Sequence, residues 1–300
     1  MLDTPDFDDV VAASLGEDLG VPPETFRGGV TPEIPLLERD ATSASVIPAG
    51  TAWSGRIVAR EDAVVCGLPG VERTYALVSR AAGLAEPVEV FPLVAEGARV
   101  AAGTAVAEVS GDARAVLAGE RTALNLLMTL SGIATEARRW QEEAGALAVV
   151  DTRKTLPGLR RLSKYAVRVG GAQNHRTGLW DMVLVKDNHL RAAGGAAAAV
   201  RAARAARPGL LVQVEADSLG VAVQAARAGA DLLLLDNMDD AALTEAAAAV
   251  REAARDGVVI EASGGIRFER LRALARTGVD RVSTSAITFA RPRDFALDEG

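Results

Sequence analysis

Cysteine occurs once in the 300 residues, at Cys66, which excludes an internal disulfide framework and fits a reducing compartment. Flanked by Val64, Val65 and Gly67, with no motif around it, that thiol reads as buried packing rather than as a nucleophile. Positive charge is not in excess, since 33 Lys and Arg stand against 40 Asp and Glu for a net charge of −7. Nucleic acid is held by surplus Lys and Arg, so it is not an expected partner, and any cations that bind an anion must be locally concentrated. Long apolar runs are also missing. None approaches the roughly 20 residues that span a bilayer. The opening MLDTPDFDDV is acidic, unlike a secretory leader. A cytoplasmic protein with no membrane partner is expected.

What the chain does contain is ample core material, 49% apolar residues, enough for one large barrel or for two domains. Between residues 44 and 112 the segments SGRIVARED, VEVFPLV and AVAEVSG alternate loosely, with Gly67, Gly97, Gly103 and Gly111 as expected turns. A β-rich domain over 1–112 follows. Within it, residues 21–38 carry Pro22, Pro23, Gly28, Gly29, Pro32 and Pro35, which is loop chemistry and suggests an insertion or linker.

From about 113 alanine-rich helices take over, separated by apolar runs at 147–150, 182–185, 210–214, 232–235 and 258–260, with another starting at Arg281-Val282. Short continuous runs between helices are the pattern of parallel strands buried on both faces. The βα repetition over 113–288 therefore predicts a barrel or a doubly wound sheet, and 289–300 is expected to pack back on the N-terminal domain. The arginine spacing in the tract at 194–207 suits a solvated helix face.

Every run ends in polar chemistry: Asp151-Thr152-Arg153-Lys154, Lys186-Asp187-Asn188-His189, Glu215, Asp236-Asn237, Glu261-Ala262-Ser263-Gly264-Gly265, and Ser283-Thr284-Ser285-Ala286. One such ending is an ordinary helix cap. Six on one rim form a site, because α/β arrays collect their chemistry at the carboxyl ends of the strands. The turns at Ser263, Gly264 and Gly265 and at Thr284, Ser285 and Ala286 sit at the last two strand ends, where barrels hold phosphate on backbone N–H groups. Arg121, Arg153, Lys154, His175, Arg176 and Lys186 form a cationic set. Planar arginine forks mixed with lysine point charges suit a ligand with two adjacent carboxylates. Glu215 and Asp236 could hold a divalent metal such as Mg²⁺ with its waters and substrate phosphates, or a sugar hydroxyl; structural pairing with the lysines is the other reading.

The stretches Glu120–Asn125, Ser131–Thr135, DTRKTLPGLR at 151–160, KYAVRVGGAQNHRTGLWD at 164–181 and VKDNH at 185–189 resemble the quinolinate phosphoribosyltransferase family. The likeness continues through Val214-Glu215, LLLLDNM at 232–238, EASGGI at 261–266 and GVDRVSTSAIT at 278–288. It implies an incomplete α/β barrel with an N-terminal open β-sandwich, a homodimer with shared active sites, and Mg²⁺. The implied reaction joins quinolinate to phosphoribosyl diphosphate with decarboxylation, giving nicotinate mononucleotide for NAD biosynthesis. By the same resemblance Arg153, His175, Arg176 and Lys186 would grip the pyridine carboxylates, with Arg121 reaching in from the partner. Lys154, Glu215 and Asp236 would attend ribose and diphosphate as catalytic groups, and the two turns the 5′-phosphate.

Some positions depart from the family pattern: Ala172 for a frequent glycine, Gln213 for a common glutamate, Ser285 for a glycine beside the phosphate, and the longer segment at 21–39. A related transferase acting on another aromatic acid is the alternative within the class. A barrel lyase or isomerase acting on a sugar phosphate is the alternative outside it, but that reading leaves the paired arginines unexplained.

Overall fold

The computed structural model describes residues 3–254 and 257–299. In chain order the elements are α1 (Asp8–Leu19), α2 (Glu24–Arg27), α3 (Ala41–Val46), β1 (Ala52–Ala59), β2 (Ala63–Val64), α4 (Leu68–Ala82), β3 (Glu89–Pro92), β4 (Arg99–Val100), β5 (Ala105–Asp112) and α5 (Ala113–Ala144). There follow β6 (Ala148–Val150), α6 (Arg160–Val169), β7 (Val183–Val185), α7 (Asp187–Ala193), α8 (Ala196–Ala206), β8 (Val212–Ala216), α9 (Leu219–Arg227), β9 (Leu232–Asp236), α10 (Asp240–Ala253), β10 (Val259–Ser263), α11 (Leu271–Leu274), β11 (Arg281–Ser283) and β12 (Phe295–Glu299). They form two compact units. One takes the chain up to Glu136, Leu156–Gly170 and the stretch from Ala290; the other takes Ala137–Thr155 and Gly171–Phe289.

The first unit is built on an antiparallel sheet in the order β12-β1-β5-β3, so the C-terminal strand pairs with β1, Gly55 opposite Glu299 and Ala59 opposite Phe295. Glu61 ties that return segment down by accepting from Arg291, Arg293 and the Asp294 amide. Three sequence expectations need correction in this unit. The stretch 44–112 is not all strand: the apolar positions Leu68, Val71, Tyr75 and Val78 recur every three or four residues and bury one face of the 15-residue helix α4. Its N-terminus is covered by Glu96, which accepts from the Gly67 and Leu68 amides at 2.6 and 3.1 Å. Burial pushes the Glu96 carboxyl above its ordinary pKa against the pull of those bonds. Gly111 is no turn but part of β5, where a Cβ would come within 3.0 Å of the Val88 Cα. The proline-rich stretch 21–38 contains α2 and a 3₁₀ turn beginning at Leu36, both made where proline fixes φ just before the element.

The second unit is a six-stranded parallel sheet in the order β6-β11-β10-β9-β8-β7, with helices between strands. It is an α/β array and not a closed barrel, since β6 and β7 stand at opposite ends of the order. Strand residues such as Val212, Val214, Leu233, Leu235, Ile260 and Val282 are wholly buried, and each such side chain contributes roughly 1.5–3 kcal/mol of transfer free energy. Alanine and leucine faces of α8, α9 and α10 are buried, including Ala199, Ala225, Leu243 and Ala247. The edge of β6 is extended by one residue, because Gln173 pairs alongside Val150, donating to the Val149 carbonyl and accepting from the Asp151 amide. That bridge brings the segment Asn174-His175-Arg176 to the carboxyl end of the sheet. Among the described residues no helix is long and apolar enough to cross a membrane.

Candidate active site

The carboxyl ends of the parallel strands surround a cleft of about 670 Å³ in the second unit. Arg153 and Lys154 follow β6, Lys186 follows β7, Glu215 lies near the end of β8, Asp236 ends β9, and Ser263, Gly264 and Gly265 close β10. All of these line the cleft together with His175 and Arg176. Among the sequence's candidates, Thr284, Ser285, Ala286 and Arg121 do not. Thr284 is buried, its amide donating to the Val150 carbonyl at 3.0 Å and its Oγ1 accepting from Ala286 at 3.1 Å. Arg121 belongs to the first unit, on α5, where its side chain is 60% exposed and lies against a groove with Asp18, Leu19 and Arg39.

Asp151, fully buried, fixes the two segments that carry the cations. Its carboxylate accepts from the His175 amide at 2.8 Å and from Asn174 Nδ2 at 2.7 Å. The loop after it is pinned on both sides of Lys154, whose amide donates to Thr152 Oγ1 at 3.0 Å and whose carbonyl accepts from Thr288 Oγ1 at 2.7 Å. Arg153 and Arg176 then face one cleft with like charges. Burial and the neighbouring Arg153 charge lower the Arg176 pKa from its ordinary value, with Asp181 working the other way. Arg153 Nε is buried and has no hydrogen-bond acceptor among the described residues. Two guanidiniums held together at that cost suit an anion with paired acceptors.

Lys186 is less free than its sequence position suggests, because its Nζ forms an ion pair with Glu215 Oε2. Asp236 accepts from Asn237 Nδ2 at 2.7 Å. Asn237 adopts φ 55°, the one non-glycine residue in left-handed backbone among those described, and its amide donates to the Ser263 carbonyl at 2.9 Å. Gly264 at φ 84° and Gly265 at φ 58° follow directly, so the backbone there turns where side chains are excluded.

His175 differs most from the sequence reading, which counted it among the cations. Its side chain is only 7% exposed. Nδ1 accepts from the Arg176 amide at 2.8 Å, and this geometry leaves Nε2 as the ring's donor, 3.5 Å from Glu261 Oε1. Glu261 was legible as a strand-end acid but received no role. It is fully buried, and its Oε2 accepts from Arg281 Nε at 2.7 Å and from Gln213 Nε2 at 3.0 Å. Burial alone would raise its pKa; the contact from His175, the Arg281 charge and the Ser283 hydroxyl hold it below its ordinary value. Thr152, Asn237, Ser283 and the apolar Leu184 and Leu234 also line the cleft without having been assigned roles. The polar three could have been found as neighbours of chosen strand-end residues. The two leucines carry no signal that separates a cleft wall from core.

Fold and cleft together define an α/β enzyme site for a small anionic ligand, with paired arginines on one side and a glycine turn on the other. Comparison with known proteins is specific. The C-terminal domain of quinolinate phosphoribosyl transferase matches residues 133–298 and its N-terminal domain residues 40–131. The chain belongs to the quinolinate phosphoribosyltransferase family and is a phosphoribosyltransferase enzyme. It is 41% identical over 262 residues to the nicotinate-nucleotide pyrophosphorylase [carboxylating] of Mycobacterium leprae, covering 86% of this chain and 90% of that protein. The human protein of the same name is 47% identical over 208 residues, 67% of this chain and 70% of its own. The solved nicotinate-nucleotide pyrophosphorylase of Francisella tularensis superposes with a TM-score of 0.84 at 30% identity, covering 100% of this chain and 98% of that one.

Proposed function

We propose that the protein transfers the phosphoribosyl group of phosphoribosyl diphosphate to the nitrogen of quinolinate and releases the adjacent carboxylate as CO₂, leaving nicotinate mononucleotide and diphosphate. The observation that carries this is the Arg153 and Arg176 pair, two close guanidiniums with a buried Nε left undonated on Arg153. A ligand with neighbouring carboxylates meets both forks at once, and Leu184 and Leu234 give its flat ring an apolar wall.

In the first step the pyridine nitrogen bonds to C1 of the ribose as the bond from C1 to the diphosphate oxygen breaks, and that oxygen takes the electron pair. Glu215 and Asp236 stabilise the positive charge developing on the ribose, while Lys154 faces the departing negative charge. In the second step the ring carbon beside the now cationic nitrogen loses CO₂, keeps the bonding pair, and takes up a proton from solvent. Arg153, Arg176 and Lys186 hold the carboxylates in register, and the turn at 263–265 receives the 5′-phosphate.

Among the described residues no group of three or more His, Cys, Asp or Glu is arranged to hold a metal. The two strand-end carboxylates of Glu215 and Asp236 nonetheless fit Mg²⁺ in its usual form, with few protein ligands and the rest water and substrate oxygens. When bound, Mg²⁺ would supply neutralisation of the diphosphate charge. We further take the working form to be a cytoplasmic homodimer in which Arg121 serves the partner's cleft.

The test is release of diphosphate from phosphoribosyl diphosphate and Mg²⁺ with quinolinate, nicotinate and a panel of benzoic acids. Quinolinate should be used at least tenfold better than nicotinate, which leaves one arginine underpaired. Equal use of nicotinate, or preference for a benzoic acid, overturns the assignment.

A further inference from the structure

Four groups at the floor of the cleft, with His175 and Glu261 lining it, form a polar cluster that none of the steps above uses: Gln213, Glu261, Arg281 and His175. Arg281 and Gln213 both address Glu261 Oε2, the former through Nε at 2.7 Å and Nη2 at 2.6 Å. Oε1 is left buried without a hydrogen bond and faces His175 Nε2 at 3.5 Å. On the far side of the imidazole, Nδ1 accepts the Arg176 amide at 2.8 Å. The ring thus bridges a buried anion and the backbone of a cleft arginine. Only one protonation state serves both ends, because a proton on Nδ1 would remove the acceptor that Arg176 uses.

We propose that Glu261 is a positioning residue: its Oε1 takes the Nε2–H of His175, which leaves Nδ1 as the acceptor for the Arg176 amide, and the ring so fixed braces the turn that presents Arg176 to the acid substrate. The proposal rests on the quinolinate reading for its kinetic consequence but not for its tautomer. Long Nε2 to Oε1 contacts of this kind close in the ligand complex, where the cleft cations are finally paired. The four charged cleft side chains Arg153, Lys154, Arg176 and Lys186 then do the anion binding without an imidazolium.

The competing reading is that Glu261 merely neutralises buried Arg281. Glu261→Gln alone leaves that cation unpaired and destabilises the fold, so the decisive variant is Glu261→Gln with Arg281→Gln, which removes both charges and keeps a polar network. Histidine occurs only twice in the chain, so nitrogen-15 spectra of labelled protein report both rings, and His189→Gln assigns them. The wild type at pH 7.5 should show His175 protonated on Nε2 alone, with and without quinolinate. The double variant should show mixed tautomers and a KM for quinolinate raised about tenfold, the loss of one charge-assisted contact, with kcat and the KM for phosphoribosyl diphosphate near wild type. An imidazolium or an Nδ1 tautomer in the wild type overturns the proposal, and so does a double variant with wild-type KM and a single tautomer. If the wild type does not bind quinolinate, the functional reading fails, and the tautomer in the double variant alone decides the role of Glu261.

Discussion

Gly264 lies so close to Asn237 that a Cβ built on it would meet Asn237 Oδ1 at 2.3 Å and the Asn237 backbone nitrogen at 2.8 Å. Each residue sits in left-handed backbone, Gly264 at φ 84° and Asn237 at φ 55°. The two turns after β9 and β10 are therefore one interlocked surface. Only a glycine lets them approach, and the amide from Asn237 to the Ser263 carbonyl closes the contact.

Gly264→Ala should accordingly displace the Asn237 turn and not merely fill space. The expected result is a KM for phosphoribosyl diphosphate raised at least tenfold, with a melting temperature lowered by a few degrees, about 1–3 kcal/mol of strain. Steady-state kinetics with varied phosphoribosyl diphosphate and a thermal melt check it. Gly265→Ala, with open space around its Cβ but also at positive φ, should show the milder strain without the clash. Equal effects of the two substitutions would refute the interlock.

Arg153 and Arg176 should reveal themselves by opposite effects on binding and stability. Replacing either by methionine removes a like-charge neighbour, so the ligand-free protein should melt at the same temperature or higher, as active-site residues held against strain do. The KM for quinolinate should rise by about 10- to 100-fold, the ~1.5–3 kcal/mol of a charged hydrogen bond. A fall in stability of several degrees would mean that the arginines serve the fold instead.

How much of this was legible in the sequence follows from physics that acts locally. All six parallel strands were found, because a strand buried on both faces writes its burial as an uninterrupted apolar run, as in the four leucines at 232–235. The polar strand ends followed from the same register, and ten of the fourteen candidate residues line one cleft. What escaped depended on contacts distant in sequence. The turn at Gln173 is set by pairing with Val150, and the acid that faces the His175 ring is Glu261, 86 positions later. Helix α4 was hidden because a glycine before it and another after it resemble strand turns, and its stripe shows only at a period near 3.6.

Acid should loosen the first unit through Glu61. The bonds from Arg291, against a burial cost, and those from Arg293 and the Asp294 amide hold its folded pKa at about 2, below its free value. The stability it contributes is thus complete above pH ~4.3 and is lost as the pH falls toward 2. Urea unfolding at steps between pH 6 and pH 3 should give a shallower decline for Glu61→Gln than for the wild type. Identical slopes would remove Glu61 from the acid response.

Lys186 and Arg121 allow a test of whether one cleft draws on two copies of the chain. Lys186 lies at the end of β7 and pairs with Glu215, so Lys186→Ala should abolish most activity while shifting stability by less than ~1 kcal/mol, its side chain being 47% exposed. Arg121 sits on α5 in the other unit, exposed and beside Glu120 at 3.8 Å, and it does not line the cleft of strand ends. If it completes the cleft of a partner, each single-variant homodimer is nearly inactive for a different reason. Mixing Arg121→Ala with Lys186→Ala in equal amounts and allowing exchange gives about half mixed dimers, and half of their clefts carry both residues. Roughly a quarter of wild-type activity should return. Were Arg121 to serve its own chain, every cleft in the mixture would lack one residue and none would return, so absence of recovery after exchange is verified by mass spectrometry would sink the shared cleft.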